Sequence, residues 1–242
     1  MTQADDEPVN SETHDIADMN FSSNNHAQGT VPASCTACTG SNPPLQTIAY
    51  PIRDSLYLNI TDRCTLACRF CPKHNGSYQV HEYHLMLEHR PSAADVIAAV
   101  GDPTRYREVV FCGYGEPTLR LKVLLEIARA VKARGGRVRI NTDGLANLVH
   151  KRDVLPEMAG LIDAVSVSMN AADPVTYARH CQPRLQGAFD AMLTFLASAP
   201  RYIPKVTATA IQGLSGVNIP ACKRLAAHLG VEFRARELDI VG

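Results

Sequence analysis

Three cysteines, Cys64, Cys68 and Cys71, stand within eight residues in the segment RCTLACRFC, and we call them the cysteine triad. Thiolates are good ligands for zinc and for iron–sulfur clusters, and the C-x3-C-x2-C spacing allows one loop to supply all three. A structural zinc ion takes four ligands, whereas a four-iron cluster held by three cysteines keeps one iron open. The triad therefore indicates a metal site, with a thiol redox loop or packed core cysteines as alternatives.

A glycine-rich turn containing an acid occurs further along the chain, in the segment CGYGEPTLR. We call residues 113–117 the GYGEP turn. Glycine lets the backbone approach a ligand closely, and a carboxylate at the end of a strand can pair with an ammonium group. Gly113, Gly115 and Glu116 are therefore candidate ligand-binding residues, although an ordinary turn before a helix explains the same pattern when it is taken alone.

Polar residues end the next two candidate strands. Asn141 and Asp143 close RINTDG, and Ser166, Ser168 and Asn170 lie in VSVSMN. Side chains alternate between the two faces of a strand, so that Asn141 and Ser168 can both point toward a site. We take Asn141, Ser168 and Asn170 as candidate cofactor-binding residues, and turn chemistry is the competing explanation because Asn, Asp and Ser favour strand ends.

These motifs follow short β-rich runs that alternate with helical patterns. The candidate strands are residues 56–60, 108–113, 137–142, 164–169, 205–211 and 232–238. Helical crossovers between successive strands predict an α/β protein with a parallel sheet, since such connections are almost always right-handed. Six parallel strands can form an open doubly wound sheet or a curved partial barrel, and in both the ligand site lies at the carboxyl ends of the strands.

Composition sets the domain boundaries and the compartment that we expect. The chain has 242 residues, 45% of them hydrophobic, and equal numbers of acidic and basic residues. No Lys or Arg precedes Arg53, whereas six acids do, so residues 53–242 carry a formal charge of +6, which permits an anionic substrate. We predict a disordered polar and acidic tail over residues 1–46 and one domain over 47–242. The sequence shows no signal peptide or membrane span, and we expect a cytoplasmic protein.

Five cysteines lie outside the triad. Cys35 and Cys38 form a C-x2-C pair in the predicted tail, where free thiols are the simplest interpretation and a bound metal is the alternative. Cys112, Cys181 and Cys222 occupy periodic positions in a strand and in helices, as buried cysteines acting as small hydrophobic residues do. A catalytic thiol at Cys112 or Cys181 is the alternative.

Together the cysteine triad, with Phe70 before its last cysteine, and the GYGEP turn one strand later resemble the radical S-adenosylmethionine superfamily. The resemblance implies that the triad holds a [4Fe–4S] cluster, whose open iron is chelated by the amino and carboxylate groups of S-adenosylmethionine. It also implies that the GYGEP turn holds the methionine end of that cofactor. The family has adjacent glycines where Tyr114 separates Gly113 from Gly115 here, so Glu116 is the better supported residue of the turn.

The same resemblance implies a six-stranded partial (βα)6 barrel of the TIM type and a radical enzyme. Such an enzyme cleaves S-adenosylmethionine reductively to a 5′-deoxyadenosyl radical, which abstracts hydrogen from a substrate, and it needs an electron donor such as flavodoxin or ferredoxin. The substrate and the catalytic residues stay unidentified. Alternatives are a non-catalytic iron–sulfur protein for electron transfer or sensing, a zinc-stabilised binding module and, among enzymes, a glycyl-radical-type activase.

A narrower resemblance extends over residues 55–238, through segments such as LEHRPSAADVI and NTDGLANLVHKRDVLPEMAGLIDAVSVSMNA. These segments are similar to the TatD-associated radical S-adenosylmethionine proteins. This implies a functional link to a TatD-like metal-dependent hydrolase, without indicating a substrate. No basic stripe interleaved with aromatic residues is present, so the sequence does not indicate a nucleic-acid partner.

Overall fold

The computed structural model describes residues 46–238, in which seven strands form one sheet and two more form a small hairpin. The strands are β1 Ala49–Ile52, β2 Ser55–Leu58, β3 Gln79–Val80, β4 Tyr83–His84, β5 Glu108–Phe111, β6 Val138–Thr142, β7 Ala164–Ser168, β8 Lys205–Gln212 and β9 Glu232–Glu237. Their order in the large sheet is β1-β2-β5-β6-β7-β8-β9. The predicted tail, with Cys35 and Cys38, lies outside the described residues except for Gln46.

The six strands expected from the sequence are all present, each within two residues of its predicted bounds, and all pair in parallel. The prediction of an α/β fold with a mostly parallel sheet is therefore confirmed. Two features were not expected. Strand β1 pairs antiparallel with β2 at the edge of the sheet, and the hairpin β3–β4 follows the cysteine triad.

Seven α-helices connect the strands: α1 Ala93–Val100, α2 Leu121–Ala133, α3 Ala146–His150, α4 Leu155–Met158, α5 Pro174–Cys181, α6 Ala188–Ser198 and α7 Ile219–His228. Helix α1 follows the N-cap Ser92, which forms a capping box with Asp95. Helices α3 and α4 stay separate because Lys151 adopts a left-handed conformation at the end of α3 and Pro156 lies in the first turn of α4. Within residues 46–238 no helix combines the length and the apolar character needed to cross a bilayer.

Each parallel strand lies beside the one before it in the chain, as the sheet order shows. Right-handed crossovers that always advance in the same direction place their helices on the same face of the sheet. A doubly wound sheet reverses direction at a switch point, which this order does not do. The other face of the sheet is therefore left for a ligand.

The two faces of the sheet differ in chemistry because side chains alternate along each strand. The face toward the helices is apolar and belongs to the main core, with Leu56, Leu58, Val109, Phe111, Val138, Ile140, Val165, Val167, Val206, Ala208 and Ala210. The opposite, inner face carries Tyr57, Arg139, Asn141, Ser168 and Arg234, which all line a cavity. The interior of a closed barrel is packed with branched apolar residues, so this polar inner face is suited to binding rather than to core packing.

Candidate functional site

A cavity of about 520 Å³ lies against the inner face and the carboxyl ends of the strands. Every site residue predicted from the sequence lines it: Cys64, Cys68, Cys71, Gly113, Gly115, Glu116, Asn141, Ser168 and Asn170. The structure thus brings together four motifs that are up to 106 positions apart in the chain. Their binding roles stay predictions.

The loop that carries the cysteine triad is fixed by the end of α5 and the segment that follows it. The backbone N–H of Ala67 donates to the carbonyl of Cys181 at 3.1 Å, and that of Arg69 donates to His180 at 2.9 Å. In the opposite direction, the N–H of Arg184 donates to the carbonyl of Thr65 at 3.0 Å. This pairing holds the backbone of the loop while the three thiols stay partly exposed toward the cavity.

The GYGEP turn packs directly on the residues that precede the triad. The N–H of Glu116 donates to the carbonyl of Arg63 at 2.7 Å. A Cβ atom at Gly115 would lie 2.7 Å from that same carbonyl oxygen and closer still to the carbonyl oxygen of Thr61. A Cβ at Gly113 would meet the side chain of Asn59. The two glycines are therefore required for contact between two loops, a reason that the sequence did not indicate.

Tyr114, which separates the two glycines, has its own packing site. Its ring is buried and meets Tyr78 edge-on at 5.9 Å, and its hydroxyl donates to the carbonyl of Gln79 at 2.8 Å. The ammonium of Lys73 donates to the carbonyl of Tyr114 at 2.9 Å. The inserted tyrosine thus connects the GYGEP turn to the segment that follows the triad.

The carboxylate of Glu116 is buried and accepts four hydrogen bonds. Its Oε1 accepts from the N–H of Thr118 at 3.0 Å, from the Thr118 hydroxyl at 2.6 Å and from the Thr142 hydroxyl at 2.9 Å. Its Oε2 accepts from the N–H of Asp143 at 2.7 Å. Oε2 accepts only this one hydrogen bond from residues 46–238 and has two lone pairs, so it can accept a second hydrogen bond from a ligand.

Asp143 lies beside Glu116 and connects the end of β6 to the triad. Its Oδ1 accepts from the N–H of Leu145 at 3.0 Å, and its Oδ2 accepts from the hydroxyl of Thr65, the neighbour of Cys64. Burial, together with the charge of Asp143, raises the pKa of Glu116 to about 8, and burial raises the pKa of Asp143 as well. A cation bound beside this pair would stabilise both carboxylates in their ionised form.

The polar residues at the strand ends differ in how far their side chains are engaged. The Oδ1 of Asn141 accepts a hydrogen bond from the guanidinium of Arg139. Asn170 is buried with a left-handed backbone (φ 57°), and its amide donates to the sulfur of Cys181 at 3.5 Å. Ser168 forms no hydrogen bond through its side chain with any residue in 46–238, so its hydroxyl is available to a ligand.

The remaining described cysteines fall into two environments. Cys181 and Cys222 are completely buried, in agreement with their interpretation as small hydrophobic residues. Cys112 is partly exposed and lines the cavity. Interaction with Cys181, together with burial, raises the pKa of the Cys68 thiol of the triad. Among residues 46–238, no three or more His, Cys, Asp or Glu side chains gather around the position of a single metal ion.

Sequence reasoning missed four arginines that line the same cavity, namely Arg53, Arg139, Arg234 and Arg236. Arg139 precedes Asn141 by two residues, so the two share a face of β6. Arg234 and Arg236 share a face of β9 by the same alternation in EFRARE. The pattern was visible in the sequence, but the direction of that face was not.

A family profile and two known proteins of similar sequence match this chain. The profile described as "Radical SAM superfamily" matches residues 58–227 of the chain. A GTP 3′,8-cyclase of Rhizobium etli is 24% identical over 216 residues, which cover 84% of this chain and 59% of the relative. A "tungsten-containing aldehyde ferredoxin oxidoreductase cofactor-modifying protein" of Pyrococcus furiosus is 31% identical over 121 residues, 48% of this chain and 30% of the relative. The chain therefore spans under two thirds of either relative.

Solved structures show the same fold at low identity. Streptococcus suis SuiB bound to its precursor peptide SuiA superposes with a TM-score of 0.59 and 16% identity, covering 77% of this chain and 39% of SuiB. SuiB bound to S-adenosylmethionine gives a TM-score of 0.55 and 15% identity, covering 76% of this chain and 38% of SuiB. These likenesses concern the fold alone.

Proposed function

This chain belongs to the radical S-adenosylmethionine superfamily, and we propose that it cleaves S-adenosylmethionine reductively at a [4Fe–4S] cluster in order to abstract hydrogen from a substrate. Members of the superfamily are enzymes that use these two cofactors, so the predictions of an enzyme and of its cofactors are confirmed at that level. One observation carries the more specific proposal. The cysteine triad, the GYGEP turn and the polar residues at the strand ends all line one cavity.

The residues of the cavity fit the two cofactors. Thiolates suit iron–sulfur chemistry, and each cysteine of such a cluster ligates a different iron, so the three thiols need not converge on one point. The acidic pair Glu116 and Asp143 lies beside the triad and suits the ammonium group of S-adenosylmethionine. Two residues of neighbouring strands, Asn141 and Ser168, offer polar groups for its ribose and adenine.

When bound, the cofactors supply a 5′-deoxyadenosyl radical. The chain has to orient the cofactor and exclude water from it. In the proposed arrangement, Glu116 would hold the ammonium group of S-adenosylmethionine through its Oε2. The hydrogen bond between Thr65 and Asp143 holds the loop of the triad against the end of β6. Phe70 and Leu66 line the cavity beside the triad and limit the access of water to it.

We further propose that the sheet curves as a six-stranded partial barrel. Tyr57 on β2, Arg139 on β6 and Arg234 on β9 line one cavity although their strands are well separated in the sheet, which supports curvature. The segments that resemble TatD-associated proteins support membership of that subgroup and a link to a TatD-like hydrolase. A flavodoxin or ferredoxin as electron donor and a cytoplasmic location complete the proposal.

Anaerobic reconstitution of the full chain tests the proposed function. We expect a brown protein with about four irons per chain, which releases 5′-deoxyadenosine when dithionite and S-adenosylmethionine are added. The Cys68→Ala variant should lose most of the iron. Cys222→Ala is the matched control, because Cys222 is a buried cysteine of α7 outside the cavity and its replacement should leave the iron content unchanged.

Other outcomes would replace the proposal with a specific alternative. Iron without release of 5′-deoxyadenosine would indicate an electron-transfer or sensing protein. A colourless protein that retains zinc would indicate a structural zinc site. Release of 5′-deoxyadenosine only in the presence of a partner enzyme, with a glycyl radical detected on that partner, would identify an activase.

A further inference from the structure

We propose that Arg139, Arg234 and Arg236 form a phosphate-binding site in the cavity, and that the substrate carries a phosphate group. That the phosphate belongs to a substrate rests on the proposed function, whereas the phosphate-binding site itself is argued from the arginines alone. The three side chains line the same cavity as the cysteine triad, on two strands that other strands separate.

Strand register places the three arginines on the inner face of the sheet. Arg139 is the second residue of β6, and Arg234 and Arg236 are the third and fifth residues of β9. The alternate residue Phe233 packs against the main core on the face toward the helices, so its neighbours point the other way. All three guanidinium groups therefore face the cavity from the walls, while Glu116 and Asp143 follow the ends of β5 and β6.

Nearby acids do not account for Arg234. Glu108 accepts from Arg139 at 3.1 Å, and the carboxylate of Glu232 lies 3.5 Å from the ammonium of Lys205. Within residues 46–238, Arg234 itself forms no hydrogen bond and no ion pair. Partial burial and then the positive charges of Arg139 and Arg236 lower the pKa of Arg234. An anion between these groups would remove that repulsion.

Phosphate fits this arrangement better than a carboxylate does. One carboxylate is satisfied by one planar guanidinium fork, whereas a phosphate ester offers three oxygens and up to two negative charges to several forks. The acidic pair at the triad end of the cavity suits a cation rather than an anion, so the arginines also determine which end of the substrate lies near the cluster. A bound phosphate therefore orients the rest of the substrate toward the radical.

Calorimetric titration of the reconstituted full chain with phenyl phosphate, and separately with benzoate, tests the site. The two probes share the ring and differ in the anionic group. We expect saturable binding of phenyl phosphate that inorganic phosphate displaces, and at least about tenfold weaker binding of benzoate. Arg234→Gln should lower the affinity for phenyl phosphate by about tenfold. Arg234→Lys should recover only part of that affinity, because an ammonium group lacks the planar fork of a guanidinium.

Arg224→Gln is the matched control, since Arg224 is an exposed arginine of α7 outside the cavity. Its affinity for phenyl phosphate should equal that of the wild type. Absence of binding to the wild type, or equal affinities in Arg234→Gln and Arg224→Gln, would overturn the site, and equal binding of benzoate would overturn the assignment to phosphate. Release of 5′-deoxyadenosine is measured on the same preparation. A protein that releases it without binding phenyl phosphate refutes this inference alone, and one that binds the probe without releasing it refutes the proposed function alone.

Discussion

Replacing Gly115 by alanine should separate the two loops that form the triad end of the cavity. The new Cβ would lie 2.7 Å from the carbonyl oxygen of Arg63 and nearer still to that of Thr61. Both are backbone atoms of the segment that leads into Cys64, so a rotation of a side chain cannot relieve the contact. To reach ordinary contact at 3.4 Å, the Cβ or the segment has to move by about 0.7 Å from the Arg63 oxygen and by more than that from the Thr61 oxygen.

Two costs determine the magnitude. Overpacking of a closely fitted site costs about 1–3 kcal/mol. The same movement lengthens the hydrogen bond from the N–H of Glu116 to the carbonyl of Arg63, now 2.7 Å, whose loss costs about 1 kcal/mol. We therefore expect Gly115→Ala to lower the free energy of unfolding by about 2–4 kcal/mol. We also expect less iron per chain after reconstitution, because Cys64 follows Arg63 directly.

Denaturant unfolding of the iron-free chain measures the first effect, and iron analysis after reconstitution measures the second. Gly160→Ala is the control, because a Cβ at this exposed glycine would meet no atom within 4 Å and only its left-handed backbone (φ 72°) opposes alanine, at about 1–2 kcal/mol. Gly160→Ala should therefore destabilise less than Gly115→Ala and leave the iron content unchanged. If Gly115→Ala unfolds within about 0.5 kcal/mol of the wild type and binds the same amount of iron, the proposed contact between the loops is wrong.

Two further predictions concern the acidic pair. The pKa of Glu116 in the folded state, about 8 against an ordinary 4.5, means that the folded state holds its proton more tightly. The free energy of unfolding should therefore fall as pH rises from about 5 to 8. Denaturant unfolding of the iron-free chain at successive pH values measures this dependence, and Glu116→Gln should flatten it. An unchanged slope in this variant would contradict the argument. Thr65→Val removes a hydrogen-bond donor from the buried Asp143 and should lower the free energy of unfolding by about 1–3 kcal/mol. Thr104→Val is the control, because it breaks an exposed hydrogen bond to Asp102 and should cost under about 0.5 kcal/mol. Equal losses of stability in the two variants would contradict this prediction.

Local patterns were sufficient to predict the parallel sheet and a set of residues that line the triad end of the cavity. The spacing of the triad lies within eight residues and needs no tertiary information. The other candidate residues lie at the ends of successive strands, and parallel strands bring those ends to one edge of a sheet. Gly113, Asn141 and Ser168 therefore line one cavity with the triad, although each motif taken alone is ambiguous.

Strand β1 illustrates what local patterns obscure. Its sequence AYPI contains Pro51, which cannot donate a hydrogen bond within a sheet and therefore argues against a strand. Proline is tolerated in edge strands, and β1 is an edge strand that pairs only with β2 in the described residues. The hairpin β3–β4 has two residues in each strand, too few for alternation to be recognised.

Gly115 of the GYGEP turn is explained by contact between two loops as well as by space for a ligand. The sequence pattern predicts that glycine in this turn leaves space for a ligand, but the atoms nearest to a Cβ at Gly115 belong to Thr61 and Arg63, which lead into the triad. The same substitution thus has two separable consequences. Contact between the loops predicts a loss of stability in the iron-free chain, whereas a role limited to the ligand predicts a change only after a cofactor binds. The iron-free measurement therefore decides which requirement keeps a glycine at this position.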